Sequence, residues 1–346
     1  MKLPNIPPID AAIEAAAWKR QDSLTKPPRS LGRLEEIGVR LAAIAGTAKP
    51  SVARKAVIVM AADHGVTAEG VSAYPSEVTP QMVLNFLHGG AAINVLARQA
   101  GARVAVVDIG VAGELPAHPQ LIQHKIRAGT ANFATSPAMS HAQAEAAVAA
   151  GMEVFESVRR DGLDLVATGD MGIGNTTASA AIVAAITGKA PELVTGRGTG
   201  VDDAGLLRKV AVIERALAVN KPDARNPIDV LAKVGGLEIA GLAGVIIAAA
   251  SQRVPIVIDG FISGAAALIA AELSPDVKPY LFAGHVSVEI GHRVILERLG
   301  LNPLLDLNLR LGEGTGAVLA FHLLEAAARV MSEMATFEEA GVAGKK

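Results

Sequence analysis

Three short runs rich in β-branched residues constrain this chain more than any other feature: Ala56-Val-Ile-Val-Met60, Val104-Ala-Val-Val-Asp108 and Val254-Pro-Ile-Val-Ile258. Each is followed by a Gly-containing turn and then by a longer helix-like segment, the βαβ rhythm of a parallel sheet. Residues 163–167 and 280–283 read as further buried strands. Strands that are apolar on both faces need helices on both faces, so the expected fold is a three-layer α/β/α, Rossmann-like parallel sheet. With 346 residues, 51% of them apolar, the chain has enough material to bury such a core and is not a disordered protein.

Helices are expected at 78–99, 139–158, 175–187, 202–218, 236–251, 262–273, 286–299 and 315–334. Many are rich in Ala and Gly, and with only 3% aromatic residues the core is expected to be built from tightly packed small side chains. Helical patterns at 9–22 and 31–45 flank Leu24-Thr-Lys-Pro-Pro-Arg-Ser30, where the prolines prevent one continuous helix. The expected division is a small helical domain, residues 1–46 plus 317–346, beside a large α/β domain, residues 47–316. Residues 341–346 read as a frayed tail.

The 32 basic and 34 acidic side chains are not gathered into a basic run, which argues against nucleic acid as the main partner. Absence of cysteine removes disulfide scaffolds, thiolate metal sites and cysteine nucleophiles, and fits a cytoplasmic protein. The N-terminus lacks the pattern of a signal peptide. The longest apolar stretch, residues 239–250, is shorter than the ~20 residues of a spanning helix, so no membrane segment is expected.

The strongest local signal is Gly169-Asp-Met-Gly-Ile-Gly-Asn-Thr-Thr177, between a strand and an Ala-rich helix. Such a turn offers backbone N–H groups and a helix N-terminus to an anion. Gly169, Gly174 and Thr176 match the spacing of a P-loop, but Asn175 stands where that motif needs lysine, which disfavours a nucleoside triphosphatase and leaves a monophosphate ester. A tight turn without a ligand is the plain alternative. A second loop, Thr195-Gly-Arg-Gly-Thr-Gly200, leads to Asp202 and Asp203, either of which can cap the next helix. Lys209 lies on the face of Asp202, as a phosphate or ribose ligand or as a solvated surface lysine.

Leu309-Arg-Leu-Gly-Glu-Gly-Thr-Gly316 places Glu313 between glycines just before a helix, so that its side chain is the only functional group there or simply complements the helix dipole. Asp63-His64-Gly65 resembles the Asp-His pairs of hydrolases, and His285, Glu289 and His292 are spaced to share one helical face, from which a divalent metal site can be drawn. Ordinary hydrogen bonding is the preferred reading of these residues, and no metal or other cofactor is expected. A nucleophile elbow and a dinucleotide fingerprint after the first strand are both absent.

Taken in order, Thr25 to Gly32, Ala62-Asp-His-Gly65, Gly70-Val-Ser-Ala-Tyr-Pro75, Gly169 to Thr177, Gly196 to Asp203, Asp259-Gly-Phe-Ile-Ser-Gly264, Gly284-His-Val-Ser287 and Gly312-Glu-Gly-Thr-Gly316 resemble the nicotinate-nucleotide:dimethylbenzimidazole phosphoribosyltransferase family over almost the whole chain. The resemblance implies transfer of a 5-phosphoribosyl group from nicotinate mononucleotide to 5,6-dimethylbenzimidazole in assembly of the cobalamin lower ligand, by a homodimer. It puts the catalytic base on Glu313. Phosphate and ribose contacts fall on Asp170, Gly172, Gly174, Asn175, Thr176, Thr177, Gly198, Gly200, Lys209 and Ser287. Contacts to the acceptor base fall on Tyr74, Gln81, Met171 and Leu311. Family members often carry Glu where Asp170 stands, so this carboxylate is one methylene shorter. A non-catalytic nucleotide-binding module and a metal-dependent phosphoester hydrolase are the competing readings.

Overall fold

The computed structural model describes residues 1–343. Residues 344–346, half of the expected tail, lie outside the described residues. Six parallel strands form one sheet: β1 (Lys55–Ala62), β2 (Ala102–Gly110), β3 (Leu121–Gln123), β4 (Leu165–Met171), β5 (Ile256–Ile258) and β6 (Leu281–Ala283). Their order is β3-β2-β1-β4-β5-β6, with every pairing parallel. The direction of winding reverses between β1 and β4, and such a switch point opens a crevice at the carboxyl ends of the strands. All eight residues of β1 are buried, as a strand covered on both faces requires.

The helices are α1 (Ala11–Ser23), α2 (Arg33–Ala45), α3 (Val78–Leu87), α4 (Ala92–Ala100), α5 (His141–Arg159), α6 (Asn175–Thr187), α7 (Asp203–Asn220), α8 (Pro227–Val234), α9 (Leu237–Ser251), α10 (Phe261–Leu273), α11 (Ile290–Leu299) and α12 (Thr315–Glu333). Helix α9 packs on the central strands and on α5 and α10, while α12 packs on β4, β5, α4 and α2, giving the two outer layers. Side chains start several of them, and only the cap at Asp202 is expected from the sequence. Asp10 accepts from the N–H groups of Ala12 and Ile13, Ser140 and Gln143 form a capping box, and Asp202 accepts from Gly205. None of the described helices is long and apolar enough to cross a membrane.

Several expectations fail for local reasons. The helix expected over 78–99 is two helices, because Gly89 turns with φ +76° and Asn94 locks the corner, donating to the Phe86 carbonyl and accepting from the Ala91 N–H. Strand β3 has only three residues, too few for an alternating pattern to show, and α8 hides behind Pro227 although that proline fits a first turn. The helix expected from 286 begins at Ile290, which takes His285 out of it and leaves Glu289 at its N-cap.

Small residues set the packing of α5 on α9. A Cβ added at Gly151 would stand 1.8 Å from the Gly241 carbonyl oxygen, and one at Gly244 would stand 2.0 Å from that of Val148. Backbone meets backbone there, with no flexible side chain to yield. Gly151→Ala is expected to destabilise the protein by about 1–3 kcal/mol, the usual cost of overpacking, read as a lower urea midpoint at unchanged slope. A midpoint equal to that of the parent would show that the helices separate freely.

A second, smaller apolar cluster joins Ala17 of α1, Val39 and Ala42 of α2 and Met331 of α12, with Trp18 against it. The chain ends meet here: Leu24 bridges to Thr336, and the Arg20 guanidinium donates to the Met331 and Met334 carbonyls.

Candidate active site

A cleft of about 640 Å³ opens at the carboxyl ends of β4, β5 and β6. Met171 and Gly172 follow β4, Gly260 to Ile262 follow β5, His285 and Ser287 follow β6, and residues 308–313 close the far wall. Parallel strands deliver all of these loops to one edge, which is why residues more than a hundred positions apart converge there.

Of the residues singled out from sequence, Glu313, Asp170, Gly172, Asn175, Thr176, Gly198, Ser287, Tyr74, Met171 and Leu311 line this cleft. Gly174, Thr177, Gly200 and Lys209 lie behind its surface or at its margin. Gly174 takes φ +95° at the N-cap of α6, with its hydrogens toward Thr67 and His64, and Thr177 is fully buried. Gly200, at φ +110°, is exposed beside Arg310. Gln81 does not reach the cleft: it is exposed on α3, and its neighbour Met82 lines the wall instead. Successive helical side chains point about 100° apart, so a helix offers the cleft one of such a pair.

Lys209 is no surface lysine. It is 1% exposed, and its ammonium donates to Thr176 Oγ1 at 2.9 Å, directly beneath Gly198. Burial lowers its pKa to about 8, against the opposing charge of Glu289. Glu289, also in the cleft wall, accepts from the Gly198 N–H at 2.9 Å and holds the second glycine loop in place. Arg310 grips the same loop through the Gly198 carbonyl. Neither role is visible in the sequence, although the Glu289 partner, Gly198, lies in the second glycine loop.

Glu313 stands at φ +63° between Gly312 at +84° and Gly314 at +92°, a left-handed run that bulky residues avoid. Its carboxylate is 5% exposed and accepts from the Ile93 N–H at 3.2 Å, in the first turn of α4. The break at Gly89 and Gly90 thus creates the helix N-terminus that Glu313 complements. Burial, together with the charge of Asp259, raises the Glu313 pKa, against the pull of the Ile93 bond. Gly169 allows the approach: a Cβ there would meet the Glu313 carbonyl oxygen at 2.3 Å.

Asp170 is buried at the end of β4, accepting from the Asn175 amide at 3.0 Å. Burial and the charges of Asp259, Glu238 and Glu313 push its pKa well above the carboxylate range. In both Asp170 and Glu313 burial thus favours the protonated carboxyl.

The histidines do unrelated work. His285 Nε2 lies 3.5 Å from Asp259 Oδ1; burial opposes its charge, but Asp259 outweighs that and raises its pKa. His292 Nδ1 accepts from the Ser287 N–H, and burial, with the charges of His285 and Arg293, lowers its pKa to about 3, so it stays neutral. His64 bonds to Glu238 at 2.8 Å, sealed beneath Gly172 and Gly174 and out of the cleft. Residues 285, 289 and 292 share no helical face, because α11 begins only at Ile290, and among the described residues no group of His, Asp and Glu is arranged to hold a metal ion.

A glycine-rich strand-to-helix turn, a buried lysine behind it and a carboxylate of raised proton affinity across the cleft suit a protein that binds and transfers a phosphorylated group. Comparison with known proteins agrees. A family model described as "Phosphoribosyltransferase" matches residues 6–342. The chain is 64% identical over 340 residues to a nicotinate-nucleotide--dimethylbenzimidazole phosphoribosyltransferase of Roseiflexus sp. (strain RS-1), covering 98% of this chain and 96% of the relative. It is 58% identical over 341 residues to the enzyme of the same name from Geobacter sulfurreducens, covering 99% and 97%. The crystal structure of CobT from Thermus thermophilus superimposes with a TM-score of 0.94 at 56% identity, over 96% of this chain and 100% of that one. The chain belongs to this phosphoribosyltransferase family, and it is an enzyme.

Proposed function

We propose that the chain transfers the 5-phosphoribosyl group of nicotinate mononucleotide to 5,6-dimethylbenzimidazole, giving α-ribazole 5'-phosphate and nicotinate, the lower-ligand step of cobalamin assembly. One observation carries this reading: a buried carboxylate with a raised pKa, Glu313, shares a cleft with the glycine loops at 172–176 and 196–200. The names of the relatives point the same way. The ring nitrogen of the donor is already quaternary, so nicotinate leaves without an acid to protonate it. Only the acceptor needs help: one ring nitrogen attacks C1' while the other N–H gives its proton to Glu313. Attack opposite the leaving group inverts the β donor to the α product.

In this reading Asn175, Thr176, Gly198 and Ser287 of the cleft wall, with Lys209 behind Thr176, grip the phosphate and ribose, and Tyr74, Met171 and Leu311 form the apolar slot of the acceptor, with Met82 in place of Gln81. Positive charge developing on the ribose faces the buried acids of the cleft, a gain realised in the transition state. We also read residues 1–46 and 317–346 as a small helical domain on the Trp18 cluster, and the protein as a cytoplasmic homodimer. Tyr74 and Leu311 in the wall, and Val288 and Leu307 beside it, are exposed apolar groups that a second copy would cover.

Incubation with both substrates, with mass and anomeric configuration of the product determined, tests the reaction. α-Ribazole 5'-phosphate is the expected product. Its absence, or a β product, would overturn the reading.

A further inference from the structure

We propose that Asp259, at the end of β5, is a positioning residue that holds Glu313 at the reacting edge of the cleft. The inference deepens the preceding section and rests on its assignment of Glu313 as the base.

The N-cap of helix α12 is Gly314, which has no side chain to cap it. Asp259, fully buried, supplies the cap from another strand. Its Oδ1 accepts from the Ala317 N–H at 3.0 Å, the third amide of the helix, where an N-cap side chain would bond. Its Oδ2 accepts at 3.1 Å from the Gly314 N–H, the amide next to Glu313. One carboxylate therefore ties both the helix and the left-handed turn to the sheet. His285 backs it: Nε2 is 3.5 Å from Oδ1, and its ring lies so close to Gly316 that a Cβ there would be 2.0 Å from Cδ2.

The remaining bonds near Glu313 are weaker guides. Its own N–H reaches the Asp170 carbonyl at 3.3 Å, and Thr315 closes on Gly312 at 3.1 Å. Neither fixes the Gly314 amide. A residue at φ +63° persists only where its surroundings over-determine it, and Asp259 provides that constraint. The groups acting on Glu313 are Asp259 from β5, Asp170 from β4 and the first turn of α4, and the negative charge of Asp259 also strengthens Glu313 as a base.

Asp259→Asn keeps the shape and one acceptor oxygen but turns the other acceptor into a donor facing an N–H. In the full-length protein, kcat is expected to fall about 10- to 100-fold with donor KM within about threefold. The acid limb of kcat should move to lower pH, because the charge that helps raise the Glu313 pKa is gone. In a Glu313→Gln background the same change should cost less than about twofold, the non-additivity expected of residues acting through one another. A purely structural role predicts instead an equal loss in both backgrounds, and that result, or unchanged kcat, would overturn the proposal. If Asp259→Asn does not fold, Asp259→Ser, which retains one uncharged acceptor, is read in the same way. Wild-type turnover of the Glu313→Gln single variant would sink the base assignment itself and is scored before either Asp259 variant.

Discussion

Glu313→Gln is expected to lower kcat by about 10²–10⁴-fold while the affinity for nicotinate mononucleotide stays within about threefold. The amide keeps the length of the side chain and still presents an oxygen to the Ile93 N–H, so the turn and the start of α4 should survive. What it loses is the ability to take a proton. Equal thermal stability, retained donor binding by calorimetry and collapsed turnover together identify a base. The wild-type profile should also show kcat falling as pH drops through the raised pKa of Glu313, where the carboxylate becomes protonated and useless as an acceptor. Full activity in the glutamine variant would remove the assignment and return Glu313 to the role of a dipole partner for α4.

Lys209→Met is the second large effect. Methionine fills the buried channel of the lysine stem but brings no charge, so the loss falls on anion binding rather than on packing. In the proposed assignment its ammonium acts on the donor phosphate, and truncation of such a buried charge costs about 2–5 kcal/mol, which predicts a donor KM raised about 30- to 5,000-fold with a smaller change in kcat. The pH dependence has a definite sign. With a pKa of about 8, Lys209 is charged below that value and neutral above it, so donor kcat/KM should fall as pH rises through about 8. An unchanged donor KM in Lys209→Met would show that the ammonium serves only to hold Thr176 and the loop above it.

Part of this site is legible in the sequence because its pieces are local. The turn at 169–177 declares itself through glycines and hydroxyls between a strand and a helix, and Asp202 announces its helix by residue type alone. Glu313 is visible as the single functional group in a glycine pair. The partners of these residues are not local. Asp259 looks like an ordinary acid after a strand until β5 is set beside the start of α12, and Glu289 has no evident partner until α11 begins four residues later than its histidines suggest. The same contrast explains Lys209: helical periodicity places it on the Asp202 face, but only the fold of residues 195–200 over that face buries it.

What the chain determined by itself is the succession of its longer strands and helices, though not the short β3 and α8, and hence a parallel sheet with its loops at one edge, because apolar runs and glycine punctuation act through neighbouring residues. Tertiary structure alone decided which loops face one another. It offered the helix end created at Gly89 to Glu313 and set Asp259, after β5, against the Gly314 amide next to that residue. Burial and the charges of distant residues then raised two carboxyl groups and lowered one lysine, since proton affinity answers to the medium and field around a group, and both are assembled only when the layers close.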